Sequence, residues 1–378
     1  MDVLVNATTL VKGGGVQVAT SFIVEAEAAA VADIRWHYVI SEQVAEELRV
    51  FGCKPERVHV LDASPARSKP HKQQVLAIED GISPDVVFTV FGPAFLKFRS
   101  PHLMGIGNGW ITHSTWPAFR SLGFPARSTK AFLAAVYKGW WARFADRWVV
   151  EAENSRQGLI GRLGLSPDKI DVVPNSCASA FINAEVPDST PPGPGEPLRL
   201  LYLSAWYGHK NIASIPAVAA AIREKAPGQA VKFVITVPDD EPGLAQLNAD
   251  AERLGVSDCI ENAGRVPLAE AVNLYASAHA CFMPSLLETF SANYPEAMAT
   301  GRPLICSDFD FSRAICQDAA SYFDARSPEA AADAILGLVN DPQRWQQSVT
   351  RGRELVAALP TPVEKYQLYE QLIRKTIS

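Results

Sequence analysis

Residues 282–308 read FMPSLLETFSANYPEAMATGRPLICSD. An apolar run, a loop, a helical stretch, a tight turn and a second apolar run follow one another, which is one β-α-β unit of a parallel sheet. Pro295 is tolerated only in the first turn of a helix, so the helix is expected to begin between Ser291 and Asn293. The amides of about Phe290, Ser291, Ala292 and Asn293 then lack helical partners and stand at the positive end of the helix dipole, an arrangement that attracts anions. Glu288 lies just before this site and Glu296 about one turn into the helix. Two carboxylates repel a phosphate unless they face its neutral neighbours, and carboxylates are good acceptors for sugar hydroxyls. Amides for a diphosphate, one carboxylate for a hexose and the other for a ribose suit a nucleotide sugar. The plain alternative is two glutamates that cap and solvate a helix.

Similar units extend in both directions. Short β-branched runs fall near residues 2–8, 34–41, 57–63, 85–91, 103–107, 147–151 and 170–174, then near 198–204, 231–237, 259–263, 280–284, 303–307 and 321–323. Stretches with helical spacing separate them, so the fold class is α/β, with two Rossmann-like doubly wound sheets. The 378 residues suit two domains rather than one core. Asp188-Ser189-Thr190-Pro191-Pro192-Gly193-Pro194-Gly195 reads as the linker, giving domains 1–187 and 198–361. A helix over about 362–378, with a stripe at Tyr366, Tyr369, Leu372, Ile373 and Ile377, is expected to cross back to the first domain.

The net charge of −6 argues against a nucleic-acid partner. The six cysteines are widely spaced without metal-ligand pairing and read as buried apolar residues of a reducing compartment. Met1-Asp2-Val3-Leu4-Val5 leads straight into a core strand, so no signal peptide is expected, and no run approaches the ~20 apolar residues of a membrane span. The expected location is cytoplasmic, with contact at the inner face of the membrane as an added option.

With Pro284-Ser285, Phe290, Ala297-Met298-Ala299, Gly301 and Pro303 around the Glu288-x7-Glu296 pair, the segment resembles the retaining glycosyltransferases of GT-B fold, family 4. The resemblance implies two domains facing across a cleft, a nucleoside-diphosphate sugar held by the second and an acceptor held by the first. The family usually carries glycine where Thr289 and Ser291 stand here, so the donor pocket differs. In LYLSAWYGHKNIAS, residues 201–214, Lys210 matches a lysine that contacts the donor phosphates, before a helix opened by Asn211. The arginine that precedes that lysine by five positions is replaced by Ala205. Either His209 or Arg265 is expected to supply its charge, or phosphate binding rests on Lys210 and the helix amides. By the same resemblance the backbone at Gly264-Arg265-Val266 frames the nucleobase, where an ordinary turn is the alternative.

In the first half, Gly13-Gly14-Gly15 follows the first strand, and glycine lets a backbone approach a ligand closely. The resemblance places Gly14 and Gly15 toward the diphosphate and acceptor; a ligand-free turn is the alternative. His113, in GIGNGWITHSTW at 105–116, is the best of the seven histidines for a role beside the sugar, although a lone histidine is often structural. Residues 120–147 hold Arg120, Arg127, Lys130, Lys138, Arg143 and Arg147 against Asp146 alone, interleaved with aromatics. Such a face suits anionic lipid or a lipid-linked acceptor, and the alternative is a helix packed by its aromatics with its basic groups solvated.

The expected reaction is transfer from a nucleoside-diphosphate sugar to an acceptor hydroxyl of a glycan or lipid-linked molecule, with retention, in bacterial surface polysaccharide or glycolipid assembly. Glu288, Lys210 and His113 would be catalytic and Glu296 would hold the nucleotide. Amides and a lysine can replace a cation on the diphosphate, so no metal and no cofactor are expected. The rivals are a GT-B epimerase or phosphorylase and a non-catalytic sugar-nucleotide-binding subunit.

Overall fold

The computed structural model describes residues 1–123 and 125–377. Its first sheet holds β1 (Asp2–Ala7), β2 (Arg35–Ser41), β3 (Val58–Leu61), β4 (Val86–Thr89), β5 (His102–Gly105), β6 (Arg147–Val150) and β7 (Ile170–Val172) in the order β3-β2-β1-β4-β5-β6-β7. The second holds β8 (Leu198–Tyr202), β9 (Val231–Ile235), β10 (Ile260–Asn262), β11 (Ala280–Met283), β12 (Leu304–Ser307) and β13 (Ala320–Phe323), ordered β10-β9-β8-β11-β12-β13. Every pairing is parallel, and the central strands β4, β11 and β12 are buried at each residue, as sheets covered by helices on both faces require. Each strand expected from the sequence is present within two residues at either end. In the first sheet the order reverses between β1 and β4, and in the second between β8 and β11. Connections leave those neighbouring strands in opposite directions and open a crevice at their carboxyl ends, the usual ligand site of such sheets.

Packing divides the chain elsewhere than the breaker run does. One compact unit comprises Met1–His113, Thr129–Ser176 and the chain from Pro360; the other comprises Ser114–Ser128 and Cys177–Leu359. The boundary expected at 188–195 therefore lies inside the second unit, and so does 177–187. Arg302, only 4% exposed, donates from Nε to the Tyr275 carbonyl at 2.8 Å and from Nη1 to that of Pro187 at 2.8 Å. Trp345 Nε1 donates to the Ser189 carbonyl at 3.0 Å, and Ser189 N to that of Gly301 at 3.1 Å. Prolines and glycines stop helix and sheet, yet their carbonyls remain acceptors, and a buried guanidinium and indole must find such acceptors. Segment 114–128 joins the same unit through its buried Ala118 and Phe119 and a 3.4 Å hydrogen bond from Thr115 Oγ1 to the Leu286 carbonyl.

Gly301 makes the turn of the opening motif with φ +68°, where a Cβ would stand 3.1 Å from Asp188 Cα and closer still to its carboxylate. Gly301→Ala is expected to lower the stability of the second unit by about 2 kcal/mol or more, measured by thermal unfolding, because backbone strain and the clash add. An unchanged melting temperature would show that the turn relaxes freely.

The last helix, Pro362–Ile377, packs in the first unit. Tyr366, Tyr369, Leu372 and Ile373 are buried, with Tyr369 5.2 Å from Phe88 and 5.9 Å from Phe22, ring centre to ring centre. Ile377 departs from the expected stripe and is 43% exposed, and Ser378, at the end of the expected range, lies outside the described residues. Among the described residues, no helix is long and apolar enough to cross a membrane. Five cysteines are buried, Cys53 is half-buried, and all are free thiols.

Candidate functional site

At the reversal point of the second sheet, β8 and β11 end side by side, pairing Leu200 and Leu201 with Ala280 and Cys281. The chain leaving β8 forms a single 3-10 turn, Gly208–Lys210, and the chain leaving β11 forms the loop that carries Glu288. Asn211 does not open a helix as expected. It has φ +57°, joins two short 3-10 turns, and the helix Ile215–Lys225 starts later. Asparagine tolerates that left-handed conformation better than most residues. Backbone bonds tie the two loops: Leu286 N donates to the His209 carbonyl at 2.7 Å, and the Asn293 side-chain amide donates to the Leu203 carbonyl.

This bracing brings Lys210 Nζ to 2.5 Å from Glu288 Oε1, with side-chain exposures of 16% and 10%. Ser285 Oγ donates to the same carboxylate oxygen at 2.8 Å. The Tyr202 hydroxyl lies 2.8 Å from Ser285 Oγ and 3.1 Å from the Lys210 carbonyl, so its one proton serves either acceptor. Burial works against the Lys210 ammonium, but the Glu288 charge with Tyr202 outweighs it and holds the pKa above the ordinary lysine value. Burial pushes the Tyr202 phenol up to about 12. Among the described residues a nearly enclosed cation is thus held ionised beside a carboxylate, at the sheet edge where ligands collect.

The helix of the opening motif runs Asn293–Ala299, starting where Pro295 requires. Its N-cap, Ala292, offers no side-chain acceptor, so the first-turn amides remain uncapped by any side chain. Ser291 is buried and Phe290 is half-buried against the core of this unit. Glu296 has a separate partner from Glu288: the Tyr275 hydroxyl donates to its Oε2 at 2.9 Å. Burial pushes the Glu296 carboxyl up to about 7, against the lowering effect of that bond. The two glutamates therefore have different electrostatic characters, one paired with a cation and one half-neutral near pH 7.

The position where a phosphate-binding arginine was expected, Ala205, is exposed. Burial, reinforced by Lys210, lowers the His209 pKa against the pull of Glu288, which favours the neutral imidazole. Arg265 is exposed after β10, beside Gly264 with φ +68°, and half-buried Val266 follows. Its loop is stitched to the one after β9, since Asn262 Oδ1 accepts from Val237 N at 3.0 Å and from Gly264 N at 3.3 Å.

The remaining expected residues belong to the first unit. Gly13, with φ +73°, is the N-cap of the helix Gly14–Ala29 and has no side-chain cap bond. Gly14 is exposed with open space around it, whereas a Cβ on Gly15 would stand 3.1 Å from Leu10 Cδ2 and 3.6 Å from the Phe91 ring. His113 ends the short helix Gly109–Thr112, half-buried, with Nδ1 2.8 Å from Thr112 Oγ1. Among the described residues, no three His, Cys, Asp or Glu side chains are grouped as a metal ion would need.

Residues 197–341, which contain Lys210, Glu288 and Glu296, match the sequence profile of the family described as Glycosyl transferases group 1. The D-inositol 3-phosphate glycosyltransferase of Nocardia farcinica is 28% identical over 220 residues, covering 54% of this chain and 47% of that protein. The chain thus spans about half the length of the curated relative. Among solved structures, a glycosyltransferase from Rickettsia africae has a TM-score of 0.73 at 13% identity, covering 100% of this chain and 98% of its own. Anabaena Alr3699/HepE, solved with UDP and glucose, has a TM-score of 0.69 at 13% identity, covering 99% and 100%. These likenesses establish the GT-B fold of two parallel-sheet Rossmann-like domains.

Proposed function

We propose that this protein is a glycosyltransferase that moves a sugar from a nucleoside-diphosphate donor to an acceptor hydroxyl with retention of anomeric configuration. The observation that carries this reading is the enclosed Lys210–Glu288 pair at the reversal point of the second sheet, beside an uncapped helix start. An ammonium has three donors, so Lys210 can keep Glu288 and still donate to a diphosphate. Glu288, fixed by Ser285, is the candidate acceptor for a sugar hydroxyl. Glu296 is the candidate ribose acceptor. The match to the group 1 profile and the likeness to a protein solved with UDP and glucose support a nucleotide-sugar donor.

In this reading the bond from the anomeric carbon to the leaving phosphate oxygen breaks while a bond to the acceptor oxygen forms on the same face. The acceptor proton passes to the leaving phosphate. Lys210 and the helix amides stabilise the charge that grows there, the kind of prearranged electrostatics that usually contributes most to rate. His113 is proposed beside the acceptor or sugar, Gly14 and Gly15 as the glycine edge of the first unit's crevice. Amides and lysine take the role of a cation, so activity should survive a chelator. A glycan or lipid-linked acceptor of surface polysaccharide or glycolipid assembly, handled in the cytoplasm, completes the proposal. The exposed Ala205 favours the second reading, a subunit that binds the donor without transferring it; donor that is bound but never consumed in the presence of acceptors would establish that one.

A thermal-shift series with nucleoside diphosphates and their sugars tests the donor site, since a ligand at about 100 times its Kd stabilises by about 2.7 kcal/mol. Failure of every such ligand to raise the melting temperature would sink the reading. Glu296 adds a pH signature. Its folded pKa, about 7, lies above the ordinary 4.5, so between these values the folded protein holds the proton more than the unfolded one, and rising pH removes stability. A ribose hydroxyl donates best to the ionised carboxylate. Nucleotide affinity should therefore rise with pH through about 7 in the native protein by more than in Glu296→Gln, with the phosphate's own titration common to both. Identical pH profiles for the two proteins would remove Glu296 from the site.

A further inference from the structure

The helix Pro125–Ala142 is packed inside out. Its buried residues are the small Ala135, Gly139 and Ala142, and a Cβ on Gly139 would already stand 3.1 Å from Leu163 Cδ2. Its outward residues are large: Phe132, Leu133, Val136, Tyr137 and Trp140 are 54%, 61%, 54%, 49% and 51% exposed. Positions i, i+1, i+4, i+5 and i+8 form one continuous stripe on a helix, and all five belong to the first unit. Trp141 and the edge of Tyr137 pack on the buried Phe95, with ring centres 6.3 and 6.0 Å away, while the rest of the stripe is left outside that packing.

Cations surround the stripe. Lys130 and Arg143 are exposed on the segment, and no acid occurs between Arg120 and Phe144. Lys72 Nζ stands 4.8 Å over the Trp141 ring and Lys97 Nζ 5.9 Å over that of Phe144, and both rings touch Trp140, at 4.9 and 4.7 Å. Lys138, half-buried, feels both burial and the charge of Arg67, each lowering its pKa, so positive charge is concentrated here in a protein whose net charge is −6. An apolar and aromatic stripe with a positive collar fits a surface that is apolar within and anionic at its edge.

We propose that this face docks the first unit on an anionic lipid bilayer, with the stripe between the head groups and the collar on their phosphates. The proposal goes beyond sugar transfer and does not depend on it. Co-sedimentation of the full chain with phosphatidylcholine vesicles, with and without about one-third phosphatidylglycerol, tests it. Binding should be at least about tenfold tighter to the anionic vesicles and should weaken with salt. Phe132→Ser with Trp140→Ser should abolish it, and Lys130→Ala with Arg143→Ala should weaken it by about fivefold per charge. Lys130 and Arg143 lie outside the core, so the alanine variant should keep the native melting temperature, while the serine variant gives up the ring contacts of Trp140 and should still unfold cooperatively within a few degrees of it. No sedimentation with anionic vesicles, or binding unchanged in the serine variant, overturns the proposal. So does a concentration-dependent dimer, without vesicle binding, that the serine variant abolishes, because the occupant is then a second copy of this chain.

Discussion

Lys210→Met is expected to lower the rate of sugar transfer by about 100- to 1000-fold, the loss typical of removing one preorganised donor to developing negative charge. The same substitution leaves Glu288, 10% exposed, without its cation, and should also lower stability by a few kcal/mol. The two effects separate in Lys210→Met/Glu288→Gln, where the amide keeps the shape and sheds the charge. Stability should largely return in that double variant while the rate stays down, read by melting temperature and by release of nucleoside diphosphate. Recovery of both together would mean that the pair only braces the two loops. Full activity in Lys210→Met would remove the lysine from the reaction.

A comparable loss, in stability alone, is expected in the first unit from Lys365→Met. Lys365 is 6% exposed and donates to Asn175 Oδ1, while Glu151, at the end of β6, is 5% exposed. Burial pushes the Lys365 ammonium down to about 8 and the Glu151 carboxyl up to about 7, and each charge opposes the shift of the other. Lys365 and Glu151 act on each other through space, so removing the cation leaves a buried carboxyl uncompensated, at a cost of up to about 3 kcal/mol that protonation of Glu151 limits. Lys365→Met/Glu151→Leu should cost far less, because replacing both partners removes the desolvation along with the attraction. The pH course has two limbs. Glu151, raised from 4.5 to about 7, makes stability fall as pH rises across that interval; Lys365, lowered from 10.5 to about 8, makes it rise again from about 8 upward. Urea melts from pH 5 to 10 should show this minimum in the native protein and a flatter course in the double variant. A single variant no less stable than the double would disprove the pairing.

The positions of the strands were legible because a strand buried on both faces writes itself as an apolar run, and β4, β11 and β12 are such runs. The start of the helix at Asn293 was legible because Pro295 admits few alternatives. Lys210 and Glu288 were each marked by their local setting. Their direct pairing was not, and neither was the support from Tyr202, whose hydroxyl terminates an apolar strand that reads as core. The domain boundary was misread at 188–195 since composition reports what a segment cannot form and is silent on what will bind its carbonyls.

By itself, then, the sequence determined two doubly wound sheets, a helix start suited to an anion and a glutamate on either side of it, all of which follow from backbone sterics and periodicity within one element. Tertiary structure alone decided that Lys210 and Glu288, 78 positions apart, meet at 2.5 Å, that Glu296 turns to Tyr275, and that the helix Pro125–Ala142 leaves Phe132, Tyr137 and Trp140 half-exposed. Periodicity says which residues share a face of their own helix or strand. Which other element covers that face depends on crossovers between distant segments, and local sequence carries no record of those.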